Sequence, residues 1–295
     1  MKKFTLSAFA VFSVGVGAAC GGEAETTSGD SETNGGEEVS GTIEFGVAPW
    51  TSTVPPTEVA AVVLEDMGYE TEQTEADVGA VYTGLSRGDL DVFMDAWFPM
   101  HNSYMDEYSD TIEETALSYT DASQGWTVPT YVEEIDSLED IHGNEDLFNG
   151  EMYGIEEGAE VTEISRDLID GEGFDMEQVV SSEGGMLSEV TRHIANEEPI
   201  VFYGWRPHSM FNNFDLKVLE DQAEYFEIAD VKVVSNKDFA EEKPEAYEFL
   251  SNWYMPLEDV EAMIVEIENE DRDPREVAEE WVDENEGIVN EWLGQ

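Results

Sequence analysis

The sequence predicts an α/β protein whose body holds two similar sets of parallel strands and helices. Three observations predict it. Strand-like apolar runs alternate with helical periodicity from about residue 42; the β-α-β-α-β order then restarts near residue 152; and the last fifty residues are helical throughout. Such an order implies right-handed crossovers and parallel pairing. Two sets in about 250 residues imply two lobes.

The first set opens with a strand over Thr42–Val47, then a helix over Pro56–Met67 that carries Val59, Val62, Val63 and Met67 on one face. Gly68 ends that helix, Tyr69–Thr74 is extended, Gly79–Ser86 is a short helix, and Leu90–Phe93 is a strand that closes on Trp97. The second set has a strand at Met152–Ile155, a helix at Thr162–Ile169, a strand near Val179, a helix at Gly185–Ala195 and a strand at Ile200–Tyr203. Helices over Pro244–Asn252, Leu257–Ile267 and Pro274–Trp292 finish the chain. Val128–Val132 and Val231–Val234 read as the segments that cross between lobes. Lobe one is then 42–130 with 235–295, and lobe two is 131–234, with a ligand cleft between them that hinges closed.

The N-terminus sets the compartment. Lys2 and Lys3 precede an apolar stretch, Phe4–Gly17, too short to span a bilayer, and Gly17-Ala18-Ala19 leads into Cys20. A lone cysteine there reads as a lipoprotein acceptor, so that 1–20 is a lipoprotein signal peptide; the other reading is an ordinary signal peptide with an incidental cysteine. With Cys20 consumed, no intrachain disulfide, thiolate zinc site or cysteine nucleophile is left. Residues 21–41 are Gly, Ser, Thr and acidic residues with few apolar members, a disordered acidic tether to the anchor. The body is expected at the outer face of the cell membrane or in the periplasm.

Charge excludes one class of partner. Against 12 Lys and Arg stand 70 Asp and Glu, a formal net charge of −58 dispersed along the body. Nucleic acid is excluded, and the surface reads as adaptation to a saline medium, where the Debye length falls to about 3 Å at 1 M salt. Structural calcium is the rival explanation, but neither 140–146 nor 271–276 has the ligand alternation of a calcium loop.

Three tryptophans mark the candidate site. Ala48-Pro49-Trp50, Asp95-Ala96-Trp97-Phe98-Pro99 and Tyr203-Gly204-Trp205-Arg206-Pro207-His208 each follow an apolar run, at the carboxyl end of a strand, where α/β proteins bind ligands. Indole faces that meet would attract a quaternary ammonium group, which cannot donate a hydrogen bond. Three unconnected core or rim tryptophans are the alternative. No Gly-x-Ser-x-Gly elbow, His-Glu-x-x-His helix or Walker loop is present. A secreted acidic hydrolase working through paired carboxylates remains as the alternative function, and a cell-surface adhesin as a third reading. No cofactor or metal is implied, since His142, His193 and His208 lack ligand spacing.

On Leu85-Ser86-Arg87-Gly88-Asp89-Leu90-Asp91, Asp95-to-Pro99, Ile155-Glu156-Glu157-Gly158-Ala159 and Tyr203-to-His208 with Met210, residues 41–293 resemble the glycine betaine-binding proteins of ABC importers. The resemblance implies a type II periplasmic-binding-protein fold, two lobes of mainly parallel sheet, and a partner ABC permease. It implies that Trp50, Trp97 and Trp205 form a prism around the trimethylammonium group of a compatible solute. It further implies that His101 and the backbone amides of Glu160 and Val161 hold the ligand carboxylate, the amides standing at a helix start where free N–H groups favour an anion. Arg206 is expected to pair with a surface acid or to add positive potential near that carboxylate.

Overall fold

The computed structural model describes residues 41–295. The expected signal peptide, Cys20 and all but Gly41 of the expected tether lie outside the described residues.

Among the described residues, ten strands form two five-stranded sheets. The first holds β1 (Thr42–Val47), β2 (Glu70–Glu75), β3 (Val92–Phe98), β4 (Ile112–Ala122) and β10 (Ala229–Asn236) in the order β2-β1-β3-β10-β4. The second holds β5 (Gln124–Pro129), β6 (Glu151–Gly154), β7 (Glu177–Val180), β8 (Phe202–Trp205) and β9 (Leu216–Val218) in the order β7-β6-β8-β5-β9. The two orders are the same pattern, built twice.

Each sheet has a parallel half and an antiparallel half. β1 pairs parallel with β2 and β3, whereas β10 runs antiparallel to β3 and β4. β6 pairs parallel with β7 and β8, whereas β5 runs antiparallel to β8 and β9. Four strands of each sheet therefore run one way, and one, β10 or β5, runs against them, which makes each sheet mixed. The cause is connectivity: the strand that runs against its neighbours in each sheet is the one that arrives from the other sheet, β5 following β4 through Ser123 alone and β10 following β9, neither through a crossover helix. The chain changes sheets at Ser123 and again between β9 and β10, earlier than the sequence-expected crossings near 130 and 235. Val128 belongs to β5, and Val231–Val234 lies inside β10.

Helices cover the sheets. α1 (Val54–Met67), α2 (Val78–Arg87) and α3 (Asn102–Glu107) accompany the first sheet, and α4 (Glu160–Glu172) and α5 (Glu183–Ala195) the second. After α6 (Met210–Asn213), the C-terminal series runs α7 (Phe239–Glu242), α8 (Pro244–Ser251), α9 (Leu257–Asn269), α10 (Pro274–Glu284) and α11 (Glu286–Trp292). α1 ends at Gly68 in the left-handed region, φ 106°, which glycine alone enters at no steric cost. The helix expected over Pro274–Trp292 is broken at Asn285, which separates α10 from α11. That break lets Trp292 stack on both Trp253 (4.4 Å) and Trp281 (5.7 Å), a packing role for all three.

Two topological switch points follow from the strand orders. β1 runs through α1 to β2 on one side, and β2 returns through α2 to β3 on the other; β6, β7 and β8 repeat this with α4 and α5. The chain diverges beyond the carboxyl ends of β1 and β3, and of β6 and β8, which opens a crevice at each place. β3 is buried at every residue, as a central strand covered on both faces must be.

Candidate functional site

The two crevices face each other and share one cavity. Its lining comes from the four strand ends at the switch points: Trp50 and Ser52 after β1, and Trp97, Met100 and His101 at and after β3. The opposite wall is Ile155, Ala159, Glu160 and Val161 after β6, with Tyr203 and Trp205 from β8. All six candidate residues of the body, Trp50, Trp97, His101, Glu160, Val161 and Trp205, are thus brought together. The three tryptophans are 9%, 3% and 3% exposed in chain order, so the cavity is deep and aromatic.

Each ring is fixed by its own neighbours. Trp97 meets Tyr119 edge-on at 6.4 Å. Trp205 is stacked on Tyr203 at 5.2 Å and meets His208 edge-on at 4.7 Å. Gly204, between those two rings, is required by close approach: a Cβ there would lie 2.5 Å from Thr127 Oγ1 on the paired strand. Trp50 donates its indole N–H to Glu156 Oε1 at 2.7 Å.

Beneath the cavity, Asp95 braces two of the tryptophan tips. It is wholly buried on β3, two residues before Trp97. Tyr119 Oη donates to Oδ1 at 2.5 Å, and Ser52 Oγ and Thr53 Oγ1 donate to Oδ2 at 2.8 and 3.0 Å. The chain just after Trp50 is thereby hydrogen-bonded to the strand that carries Trp97. Burial pushes the Asp95 carboxyl up, and the hydroxyl donors hold it down.

His101 offers one defined donor. Its Nδ1 lies 3.1 Å from the Trp97 backbone N–H and accepts from it, so the ring proton sits on Nε2. At 1% exposure, burial lowers its pKa from 6.5 to about 3, and the ring is neutral at pH 7. Across the cavity, α4 begins at Glu160 without a side-chain cap. The N–H groups of Glu160 and Val161, the first two of the helix, have no intrahelical acceptor to reach, so they are donors for an anion. The site therefore has an aromatic end and an end of neutral hydrogen-bond donors. Among the described residues no Lys or Arg lines it.

The Glu160 side chain reaches α3, which accompanies the first sheet. Oε1 accepts from Ser103 Oγ, while Oε2 is buried without a partner, and burial raises the carboxyl pKa. Arg206 is drawn away from the cavity: its Nη1 donates to both carboxylate oxygens of Glu261 on α9, at 2.7 and 2.9 Å, and the guanidinium covers Phe211 at 4.3 Å. Of its two expected partners, the surface acid is the one it has.

Sequence reasoning missed Ser52, Met100, Ile155, Ala159 and Tyr203 as lining residues, and passed over Asp95, Glu156, Glu183 and His208. Tyr203 was within reach, since it sits one strand repeat before Trp205 and must face the same side. The carboxylates carried no such signal.

Residues 41–284 match the family described as the substrate binding domain of ABC-type glycine betaine transport systems. The glycine betaine/carnitine transport binding protein GbuC of Listeria monocytogenes is 31% identical over 182 residues, which cover 60% of this chain and 57% of that protein. The matched stretch thus spans little more than half of that relative. Among solved structures, an ABC-transporter choline binding protein in complex with choline matches at a TM-score of 0.81 and 30% identity, over 86% of this chain and 91% of that one. Lactococcal OpuAC in its closed-liganded conformation with glycine betaine matches at 0.79 and 27% identity, over 85% of this chain and 99% of that one. The family match covers the strand ends that build the cavity together with the helices around them, and the chain belongs to the family of substrate-binding domains of ABC-type glycine betaine transport systems.

Proposed function

We propose that the protein captures glycine betaine, or a closely related quaternary ammonium solute, outside the cytoplasm and delivers it to an ABC permease. The observation that carries this reading is the shared cavity, with three indoles at one end and neutral donors at the other. A trimethylammonium group enclosed by Trp50, Trp97 and Trp205 gains the attraction of three ring faces and loses no hydrogen bond on leaving water. The carboxylate then lies against the amides of Glu160 and Val161 and His101 Nε2–H, which bind an anion without a full positive charge. The two lobes close over it, lobe one on the first sheet and lobe two on the second. Cys20 carries the lipid that keeps the body at the membrane, and the acidic surface suits a saline exterior in which compatible solutes are valuable. Among the described residues no helix is long and apolar enough to cross a membrane. The hydrolase alternative needs paired carboxylates at the site, and the cavity lining carries one, Glu160.

Choline is the second reading, favoured by one observation. Glu160 Oε2 is buried without a hydrogen-bond partner beside the cavity, where it would accept from a hydroxyl and repel a carboxylate. Calorimetric titration at high salt with glycine betaine, proline betaine and choline separates the readings. Glycine betaine tightest, with His101→Ala weakening it more than choline, supports the first. Choline tightest, with Glu160→Gln weakening choline and improving glycine betaine, supports the second. No binding of any of the three would end both.

A further inference from the structure

The tip that follows β1 is gripped by the opposite lobe. Trp50 Nε1–H donates to Glu156 Oε1 at 2.7 Å, and the backbone N–H of Thr51 donates to Glu183 Oε2 at 3.2 Å. Trp50 and Thr51 are anchored on the first sheet, whereas Glu156 follows β6 and Glu183 opens α5, both on the second.

Glu183 reaches a second wall of the cavity as well. His208 Nδ1 accepts from the Met210 N–H at 3.0 Å, so its proton is on Nε2, which donates to Glu183 Oε1 at 3.2 Å. The His208 ring stands edge-on to Trp205, at 86°. One carboxylate, 6% exposed, therefore links an indole of lobe two, through His208, to the chain beside an indole of lobe one, through an amide. Neither Glu156 nor Glu183 lines the cavity, so neither acts by touching the ligand. When the lobes part, both donors of the Trp50 tip lose these acceptors and turn to water. The indole then keeps only the His101 ring on its own side, tilted at 6.2 Å, and no hydrogen-bond partner to fix its plane.

We infer that Glu156 and Glu183 are positioning residues that set Trp50 in place only as the lobes close, so that the aromatic wall is completed by closure and released by opening. This rests on the reading of the cavity as a trimethylammonium site. A ligand held by Trp97 and Trp205 thus gains its third indole at the same moment that it is sealed from water. The contribution falls on the closed state, so its loss is expected in the dissociation rate more than in the association rate.

The test uses the full chain at high salt with glycine betaine and choline as probes. Stopped-flow tryptophan fluorescence gives the rates, and ¹⁵N-indole NMR follows hydrogen exchange of Trp50 Nε1–H. In the parent, ligand should slow that exchange. Glu156→Ala should leave it fast and raise the dissociation rate about tenfold, with the association rate within about threefold of the parent. Glu156→Gln keeps a carbonyl oxygen to accept from the indole and should return the rate to within about threefold of the parent. Trp50→Phe removes the donor, so adding Glu156→Ala to it should cost nothing further. Glu183→Ala should raise the dissociation rate as well. Unchanged dissociation and retained protection in Glu156→Ala would overturn the positioning role while the betaine reading stood. So would equal losses in Glu156→Ala and Glu156→Gln, which would point to charge and not to the hydrogen bond. A parent that binds neither probe would overturn the betaine reading, and this inference with it.

Discussion

Replacing Asp95 with Ala should destabilise the fold and loosen the site together. The carboxylate accepts from three hydroxyls, those of Ser52, Thr53 and Tyr119, and all three residues are wholly buried. Removal strands three donors away from water, at about 1–3 kcal/mol each. The donors share one acceptor group, so their costs are not additive, and the variant no longer has to desolvate a carboxylate. A net loss of about 3 kcal/mol is expected. Asp95→Asn keeps the shape and one good acceptor, and Tyr119 Oη can turn to accept from the new amide; about 1–2 kcal/mol is expected there. Because the same bonds tie the Trp50 tip to the Trp97 strand, glycine betaine affinity should fall about tenfold in Asp95→Ala, or about 1.4 kcal/mol. Urea unfolding at fixed high salt gives the stability, and calorimetry well below the variant's melting temperature gives the affinity. A stability loss under about 1 kcal/mol with unchanged affinity would refute the bracing role.

Removing an indole face by Trp97→Ala or Trp205→Ala should weaken binding of a trimethylammonium solute by about 1–2 kcal/mol or more, with the fold retained, as titration and circular dichroism would show. His101 should make stability depend on pH. Its folded pKa, about 3, lies below its unfolded value, so the unfolded chain takes the proton and stability is lost as pH falls from about 6.5 towards 3. The gap between the parent and His101→Gln should therefore narrow, at a rate approaching about 1.4 kcal/mol per pH unit. A gap that stays constant across that window would mean the ring is not held neutral. Melting temperature should rise steeply with sodium chloride, because screening relieves repulsion among 70 acidic residues, while glycine betaine affinity should change far less. Sodium competing with the solute on folded protein would point to a site made of carboxylates.

Local signals carried much of the fold. The strand at Thr42–Val47 and the helix before Gly68 were legible because apolar period, proline near the start and glycine at the end all agree there. β4 was not. Ile112–Ala122 mixes charged, small and hydroxyl residues, and it borders its sheet, where half-exposed positions blur the alternation. The antiparallel halves were equally hidden, since they arise where β5 and β10 enter from the other sheet, β5 through Ser123 alone and β10 after β9. At the site, aromatic residues beside chain-bending ones at strand ends gave away the three tryptophans that line the cavity. The carboxylates that hold them did not show. Asp95, Glu156 and Glu183 meet partners 43, 106 and 132 residues away. In a chain with 70 acids, nothing local separates a bracing carboxylate from a surface one.

The sparse basic residues bear on why the proposed site should be built from neutral groups. Arg275 engages Glu58 and Glu65 of α1 and Glu279 of α10, Arg272 joins Glu266 of α9 to Glu280 of α10, and Arg206 ties the segment after β8 to Glu261 of α9. These cations hold helices and lobes together in a body that repels itself, and none of them lines the cavity. A ligand carboxylate must then be met by amides and a neutral imidazole. A ligand cation must be met by ring faces, although the protein has carboxylates in excess. Both choices have the same physical merit in strong salt. Sodium keeps a tight hydration shell that indole faces replace poorly, and chloride gains little from a few neutral donors in place of those its own water supplies. Carboxylates in the cleft would attract the solute's cationic head more strongly in dilute buffer and would lose that advantage where salt is concentrated. The buried glutamates are placed accordingly: Glu156 and Glu183 accept hydrogen bonds from the Trp50 tip without lining the cavity, so they offer sodium no carboxylate inside it.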